Sequence, residues 1–295
     1  MHKMNNRLRT FFTIFLNLVF GICLLLLLLF LGQLFCFASF KIPSNSMEPT
    51  LRDGDRIIVN KMILGARFFN VFAALENKDI SIYRMPSLGD LKRNDILVFN
   101  YPYMSKNQDS IRFNVNQYYV KRCIALPGDT LEIRNGFYKV RGFCGKLGNR
   151  HAQEYISRMQ SPRRNGVVER TFPYDKKLGW TVKDFGPLPI PKEGQIVKMD
   201  HSTYPLYRQL ISWEQKMKVR LEEDQVFLND SLVCFYRFRN NYYFVSGDNM
   251  VNSKDSRYWG VLPEEYIVGR AIYIWYSQDR YTGRVRQERI MKKIE

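Results

Sequence analysis

The sequence predicts a mainly β protein: one N-terminal transmembrane helix, then a β-rich core that carries a large inserted β-rich segment. Three observations predict it. Residues 11–37, FFTIFLNLVFGICLLLLLLFLGQLFCF, hold no charge and exceed the roughly 20 apolar residues that a helix needs to cross a bilayer. Beyond them, short apolar runs alternate with turn residues, and after residue 90 the aromatic and β-branched content favours strands. A polar, basic stretch then separates two groups of such runs. The expected organisation is a basic tail (1–10), the apolar segment (11–37), a core in two parts (38–130 and 241–280), an insert (131–240) and a basic tail (281–295).

Taking the elements in order, the apolar segment reads as a retained anchor. A cleavable leader has an apolar run of about 7–15 residues; small residues such as Cys36 and Ala38 do stand near the end of this one, but the run is far longer. Lys3, Arg7 and Arg9 flank its start, which by the positive-inside rule places that end in the cytoplasm. AIYIWY at 271–276 is strand-sized, so one span is expected. DRIIVNKM, DILVFNYP and YYVKRCIAL have strand length, the last followed by a PGD turn and the strand TLEI. LEIRNGFYKV is a hairpin turning at Asn135-Gly136, the strongest short hairpin signal, and QVFLNDSLVCFYRF turns at Asn229-Asp230. Residues 145–180 read as a long irregular excursion. A helix is expected from Pro205 to about Leu221, since Leu206, Leu210, Trp213 and Met217 recur at helical spacing. That stripe reads as packing.

Composition narrows the function. The 295 residues are 45% hydrophobic and 15% aromatic, enough for a folded core. A net charge of +17 suits an anionic lipid surface. The basic residues are dispersed and no nucleic-acid motif accompanies them, which excludes a nucleic-acid partner. The tail RYTGRVRQERIMKKIE reads as a solvated basic end. Outside the anchor stand Cys123, Cys144 and Cys234, so at most one disulfide is possible and its members are open.

The chemistry is bounded by histidine. Only His2, His151 and His201 exist, none in a structured motif, which argues against a Ser-His-Asp triad. No His-Glu-x-x-His or paired Cys/His set offers a metal site, and no cofactor is implied. Lysine remains as a base. An ordinary lysine, with a pKa of about 10.4, is protonated at neutral pH; lowering it by three units costs about 4 kcal/mol, which burial must impose. In the strand YYVKRCIAL, Tyr119, Lys121 and Cys123 share one face, so Lys121 can enter an apolar site while Arg122 stays hydrated on the other.

Three stretches together resemble the bacterial signal peptidase I family, the membrane-anchored Ser-Lys proteases. PSNSMEPTL (43–51), followed by Gly54-Asp55, Val59 and Lys61, looks like the nucleophile boxes. RNDILVF (93–99) and YVKR (119–122), with LPGD (126–129), resemble the strand pair carrying the base. Gly247-Asp248-Asn249 and NSKDSRYWG (252–260) resemble the closing box. The resemblance implies Ser46 as nucleophile, Lys121 as general base and Ser44 as an oxyanion donor beside the Ser46 N–H. It implies that Ser253 orients the amine, that Asp255 and Arg257 form a supporting ion pair, and that Ile42, Met47, Leu51, Tyr119 and Val120 line shallow apolar pockets. Met250 stands where the family usually has Arg, removing a peripheral polar contact, and Asn94 replaces a Gly at a turn that Asn also tolerates.

The function so implied is a membrane-bound serine endopeptidase that removes N-terminal signal peptides from exported preproteins after small residues. It would sit in the cytoplasmic membrane with its catalytic part on the outer, periplasmic side, and its partners would be signal peptides and the lipid bilayer. Two alternatives are a Ser-Lys protease with one dedicated substrate and a non-catalytic membrane-anchored scaffold. The hydroxyls and the strand lysine weigh against the scaffold.

Overall fold

The structure is a computed structural model that describes residues 6–76, 78–103, 110–163 and 166–295. His2 and Lys3 lie outside the described residues, as does the side chain of Arg7. The N-terminal helix runs Asn6–Leu31 and continues through one wider turn at Gly32–Cys36. Its window Arg9–Cys36 is 28 residues, none of it buried against the rest of the chain. At 1.5 Å per residue that is about 42 Å, more than the roughly 30 Å of a hydrocarbon core. A helix apolar on every side suits a membrane.

Eight strands form the main sheet. They are β1 (Phe37–Lys41), β2 (Asp55–Asn60), β3 (Ile96–Asn100), β4 (Tyr118–Ala125), β5 (Tyr242–Ser246), β6 (Leu262–Pro263), β7 (Ile267–Ser277) and β8 (Lys292–Lys293). The order is β1-β2-β7-β3-β4-β5-β6, every pairing is antiparallel, and β8 adds beside β7. All five residues of β3 are buried. Ile96 and Val98 join the cluster of Ile42, Met47, Leu51, Ile57 and Val59, whereas Leu97 and Phe99 join the larger cluster on the opposite face. A strand covered on both faces reads as one continuous apolar run, as DILVF does.

The hairpin Thr130–Arg134 with Phe137–Val140 turns where expected, with Asn135 and Gly136 both at positive φ, 47° and 83°. The strand Phe185–Pro189 pairs beside it. The apolar residues of this region, Leu131, Ile133, Phe185 and Leu188, share one cluster with Phe244 and Cys123 of the main sheet.

Several expectations change. The excursion at 145–180 contains a helix, Arg150–Arg158, capped by the Asn149 side chain. The helix expected to reach Leu221 spans Tyr204–Gln215 and stops at Lys216, which is left-handed at φ 54°. Val219–Glu222 is instead a strand, hairpinned to Gln225–Leu228 through Glu223 and Asp224 at φ 47° and 64°. Asp224 tolerates a left-handed turn but Glu223 is not a usual turn former, so the break carried only a weak sequence signal. The tail keeps most of its side chains in solvent, as expected, but is also docked: β8 pairs with Tyr273 and Ile274, Ile294 packs on the smaller cluster, and Arg289 is buried against Asp55 at 2.5 Å. All five cysteines are free thiols.

Candidate active site

Ser46 is presented by a tight turn between β1 and β2. Ile42 and Gly54 clasp the base of this turn, with Ile42 N–H donating to the Asp55 carbonyl at 2.8 Å and Gly54 N–H to the Ile42 carbonyl at 2.9 Å. Gly54 is left-handed (φ 89°), and a Cβ there would collide with the carbonyl of Gln278. Met47 and Leu51, 1% and 0% exposed, pull the turn onto the sheet. Ser44 is left exposed and Ser46 half-buried, their hydroxyls 3.4 Å apart. The Ser46 N–H donates to no described group.

Lys121 comes from β4 and is 2% exposed. Its Nζ donates to Ser46 Oγ at 2.7 Å and to the Val120 carbonyl at 3.0 Å, and the Tyr119 ring lies 5.5 Å away. Burial lowers its pKa from 10.5 to about 8, against the opposing pull of the Asp255 carboxylate. The Arg257 guanidinium adds to the lowering. An amine of this pKa within hydrogen-bond reach of an alcohol can exchange its proton near neutral pH.

Behind it, Asp255 and Arg257 form an ion pair of 2.8 Å with both side chains inaccessible. Burial alone would raise the Asp255 carboxyl, but Arg257 and the Gly247 N–H outweigh it and hold it below its ordinary value. The Gly247 N–H donates to Asp255 at 2.9 Å and Ser246 Oγ donates at 3.1 Å. A Cβ on Gly247 would meet both the Ser253 side chain and the Ser46 carbonyl, so glycine lets the closing stretch reach the nucleophile turn. Asn249 N–H then donates to the Ser46 carbonyl at 3.1 Å, and the Asn252 amide to Asn45 Oδ1 at 3.0 Å.

The structure thus brings Ser44, Ser46, Lys121, Asp255 and Arg257 together and departs from the expected contacts at Ser253, at the pocket residues and at Arg122. Ser253 Oγ is buried beside the Asp255 carboxylate, which it helps to hold below its ordinary value, and it makes no hydrogen bond to the amine, whose partners are Ser46 Oγ and the Val120 carbonyl. Ile42, Met47 and Leu51 are sealed in the smaller cluster and have almost no surface to offer a ligand, leaving only Tyr119 and Val120 half-exposed. Arg122 is not hydrated: Asp248 accepts from its Nε and Nη2, both at 2.7 Å. Met250 is a core side chain, 1% exposed, whose carbonyl accepts from Arg257 at 2.9 Å. Asn94 does adopt the left-handed turn, at φ 73°, and its amide also bonds Gly148 N–H and the Lys146 carbonyl, both at 2.8 Å.

Two residues of the site were missed in the sequence. Asp248 also accepts from Thr50 Oγ1 at 2.5 Å, so it ties the nucleophile turn to the strand of the base. Its signal was the need of Arg122 for a counter-charge. Tyr138, from the 131–240 region, bonds Ser246 Oγ at 2.6 Å and so reaches the Asp255 network; nothing in its hairpin announced this. His151 and His201 are exposed, away from this chemistry.

The family model for signal peptidase, peptidase S26, matches residues 15–276. Signal peptidase I of Pseudomonas aeruginosa is 29% identical over 81% of this chain and 64% of its own length. The chain therefore spans just under two thirds of that relative. Signal peptidase I of Aquifex aeolicus is 30% identical over 81% of this chain and 75% of its own. A crystal structure of a signal peptidase I from Enterococcus faecalis aligns with a TM-score of 0.30 and 21% identity, covering 62% of this chain and 98% of that one. The match defines the class first: this is a peptidase, an enzyme with an apolar N-terminal helix long enough to anchor it in a membrane. The chain belongs to the signal peptidase family, peptidase S26.

Proposed function

We propose that this chain is a membrane-surface endopeptidase that removes N-terminal signal peptides from exported preproteins, with Ser46 as nucleophile and Lys121 as base. One observation carries the assignment of roles: the Lys121 amine meets Ser46 Oγ at 2.7 Å in surroundings that depress its pKa. The neutral amine takes the Ser46 proton as Oγ attacks the scissile carbonyl. The resulting oxyanion faces the Ser44 hydroxyl and the Ser46 N–H. Lys121 then returns the proton to the departing amine, giving an acyl-enzyme. Water, deprotonated by the same lysine, attacks that ester and restores Ser46. Asp255 and Arg257 lie beneath the lysine; the carboxylate limits how far its pKa falls, while the guanidinium adds to the fall.

The basic flank at Lys3, Arg7 and Arg9 supports a cytoplasmic N-terminus, with the sheet on the outer face of the cytoplasmic membrane. Tyr119 and Val120 supply the substrate wall, and small residues before the cut fit its shallow relief. Purified protein in detergent is mixed with a preprotein and the cleavage position read by mass spectrometry. Cleavage after a small residue is expected, lost when that residue is changed from Ala to Leu. Intact preprotein, or equal cleavage of both substrates, would refute the activity or the specificity respectively.

A further inference from the structure

A helix leaves its last carbonyls without intrahelical donors, and other groups must supply them. Lys61 fills this gap at the end of the N-terminal helix. Its Nζ donates to the carbonyls of Gln33 and Leu34, both at 2.7 Å, and its backbone N–H donates to the Cys36 carbonyl at 2.8 Å. No carboxylate among the described residues pairs with this ammonium, so its charge faces the negative end of the helix dipole undivided. Lys61 directly follows β2, which pairs with β1 from Phe37↔Asn60 to Lys41↔Arg56. A second contact supports the joint, the rings of Phe35 and Phe68 lying 5.9 Å apart. The helix end is therefore locked to the two strands that flank the Ser46 turn.

We infer that Lys61 is a positioning residue that fixes the exit of the anchor against the sheet and so holds Ser46 at one height above the bilayer. This rests on the reading of Ser46 as the nucleophile of a membrane-surface peptidase. A preprotein held in the same bilayer presents its scissile bond at a set depth. A short soluble peptide does not, and needs only the local Ser46–Lys121 geometry. Lys61 makes no contact with either residue, so its removal separates the two substrates.

The test uses the full chain in lipid vesicles, with one preprotein inserted in the same vesicles and one short peptide bearing the same cleavage site. Lys61→Met keeps the aliphatic stem and removes every side-chain donor. Its kcat/KM on the inserted preprotein should fall about tenfold or more, as misplacement of a reacting bond does, with added cleavage positions in the mass spectrum. Its kcat/KM on the peptide should stay within about twofold, the proximity of the reacting groups being unchanged. Lys61→Arg, which retains charge and donors, should restore most of the preprotein rate. Phe68→Ala, which loosens the same joint elsewhere, should lower the preprotein-to-peptide ratio in the same direction. An equal loss on both substrates would make Lys61 a residue of general stability, and no loss on either would leave the joint without a catalytic consequence; each overturns the inference. A wild-type protein that cleaves neither substrate would instead remove the peptidase reading, and this inference with it.

Discussion

Lys121 and Arg122 are adjacent on β4, point to opposite faces of the sheet and are both buried, at 2% and 8% exposure. Arg122 is given a carboxylate, with two hydrogen bonds of 2.7 Å to Asp248. Lys121 is given an alcohol and a backbone carbonyl, and its nearest carboxylate system, Asp255, is already engaged by Arg257. The arginine pair joins segments. The lysine, denied a counter-ion of its own, is pushed down to a pKa of about 8, which suits the base proposed for it. The cation with a carboxylate is held as a charge; the one without is driven towards its neutral form at the expense of stability.

The sharpest way to break this comparison is to give the lysine site a cation that cannot deprotonate. Lys121→Arg should be as inactive as Lys121→Ala or Ser46→Ala, each losing about 10⁴-fold or more in kcat, and the double variant should be no worse because the pair acts as a unit. Turnover by a folded Lys121→Arg protein would assign the base elsewhere. Next in size, Asp248→Ala strands Arg122 without its counter-charge and should cost about 3–5 kcal/mol of stability, read as a lowered denaturant midpoint. An unchanged midpoint would mean that water replaces the carboxylate and the pair does not tie the segments.

Ser44→Ala removes one oxyanion donor and should lower kcat by about 10²–10³ with KM scarcely altered. A raised KM at constant kcat would make Ser44 a binding residue. The smallest effect concerns the cost of the base itself. The unfolded chain holds the lysine proton up to pH 10.5 and the folded protein only to about 8, so between these values the unfolded state binds more protons and stability rises with pH. Lys121→Met should be more stable than the parent by about 3 kcal/mol at pH 7. The difference in melting temperature should close as pH climbs from 8 towards 10.5. Over the same range the activity of the parent should rise through about pH 8 to a plateau; a flat profile would contradict a titrating amine.

Much of this was legible in the chain. The anchor followed from charge-free length, β3 from an unbroken apolar run, the 135–136 hairpin from Asn-Gly, and Ser46 and Lys121 from their motifs. What was not legible shares one cause: partners far apart in sequence. Asp55 and Arg289 are 234 residues apart, and their contact docks an otherwise exposed tail beside the sheet. Met250 was read only as the loss of an arginine contact, yet its side chain fills the larger apolar cluster.

Residue type and spacing by themselves determined that the chain carries a helix long and apolar enough to span a membrane, that its body is rich in strands, and that its three histidines stand in no catalytic motif. Those properties depend on local composition and periodicity, which a linear chain displays. Only the tertiary structure decided which of two neighbouring cations would have its pKa lowered. Lys121 and Arg122 leave the strand one residue apart, and their different behaviour is set by Asp248 and Asp255, brought in from more than 120 positions away. A pKa is a property of the dielectric and of the charges around a group, and those exist only once the chain has closed around it.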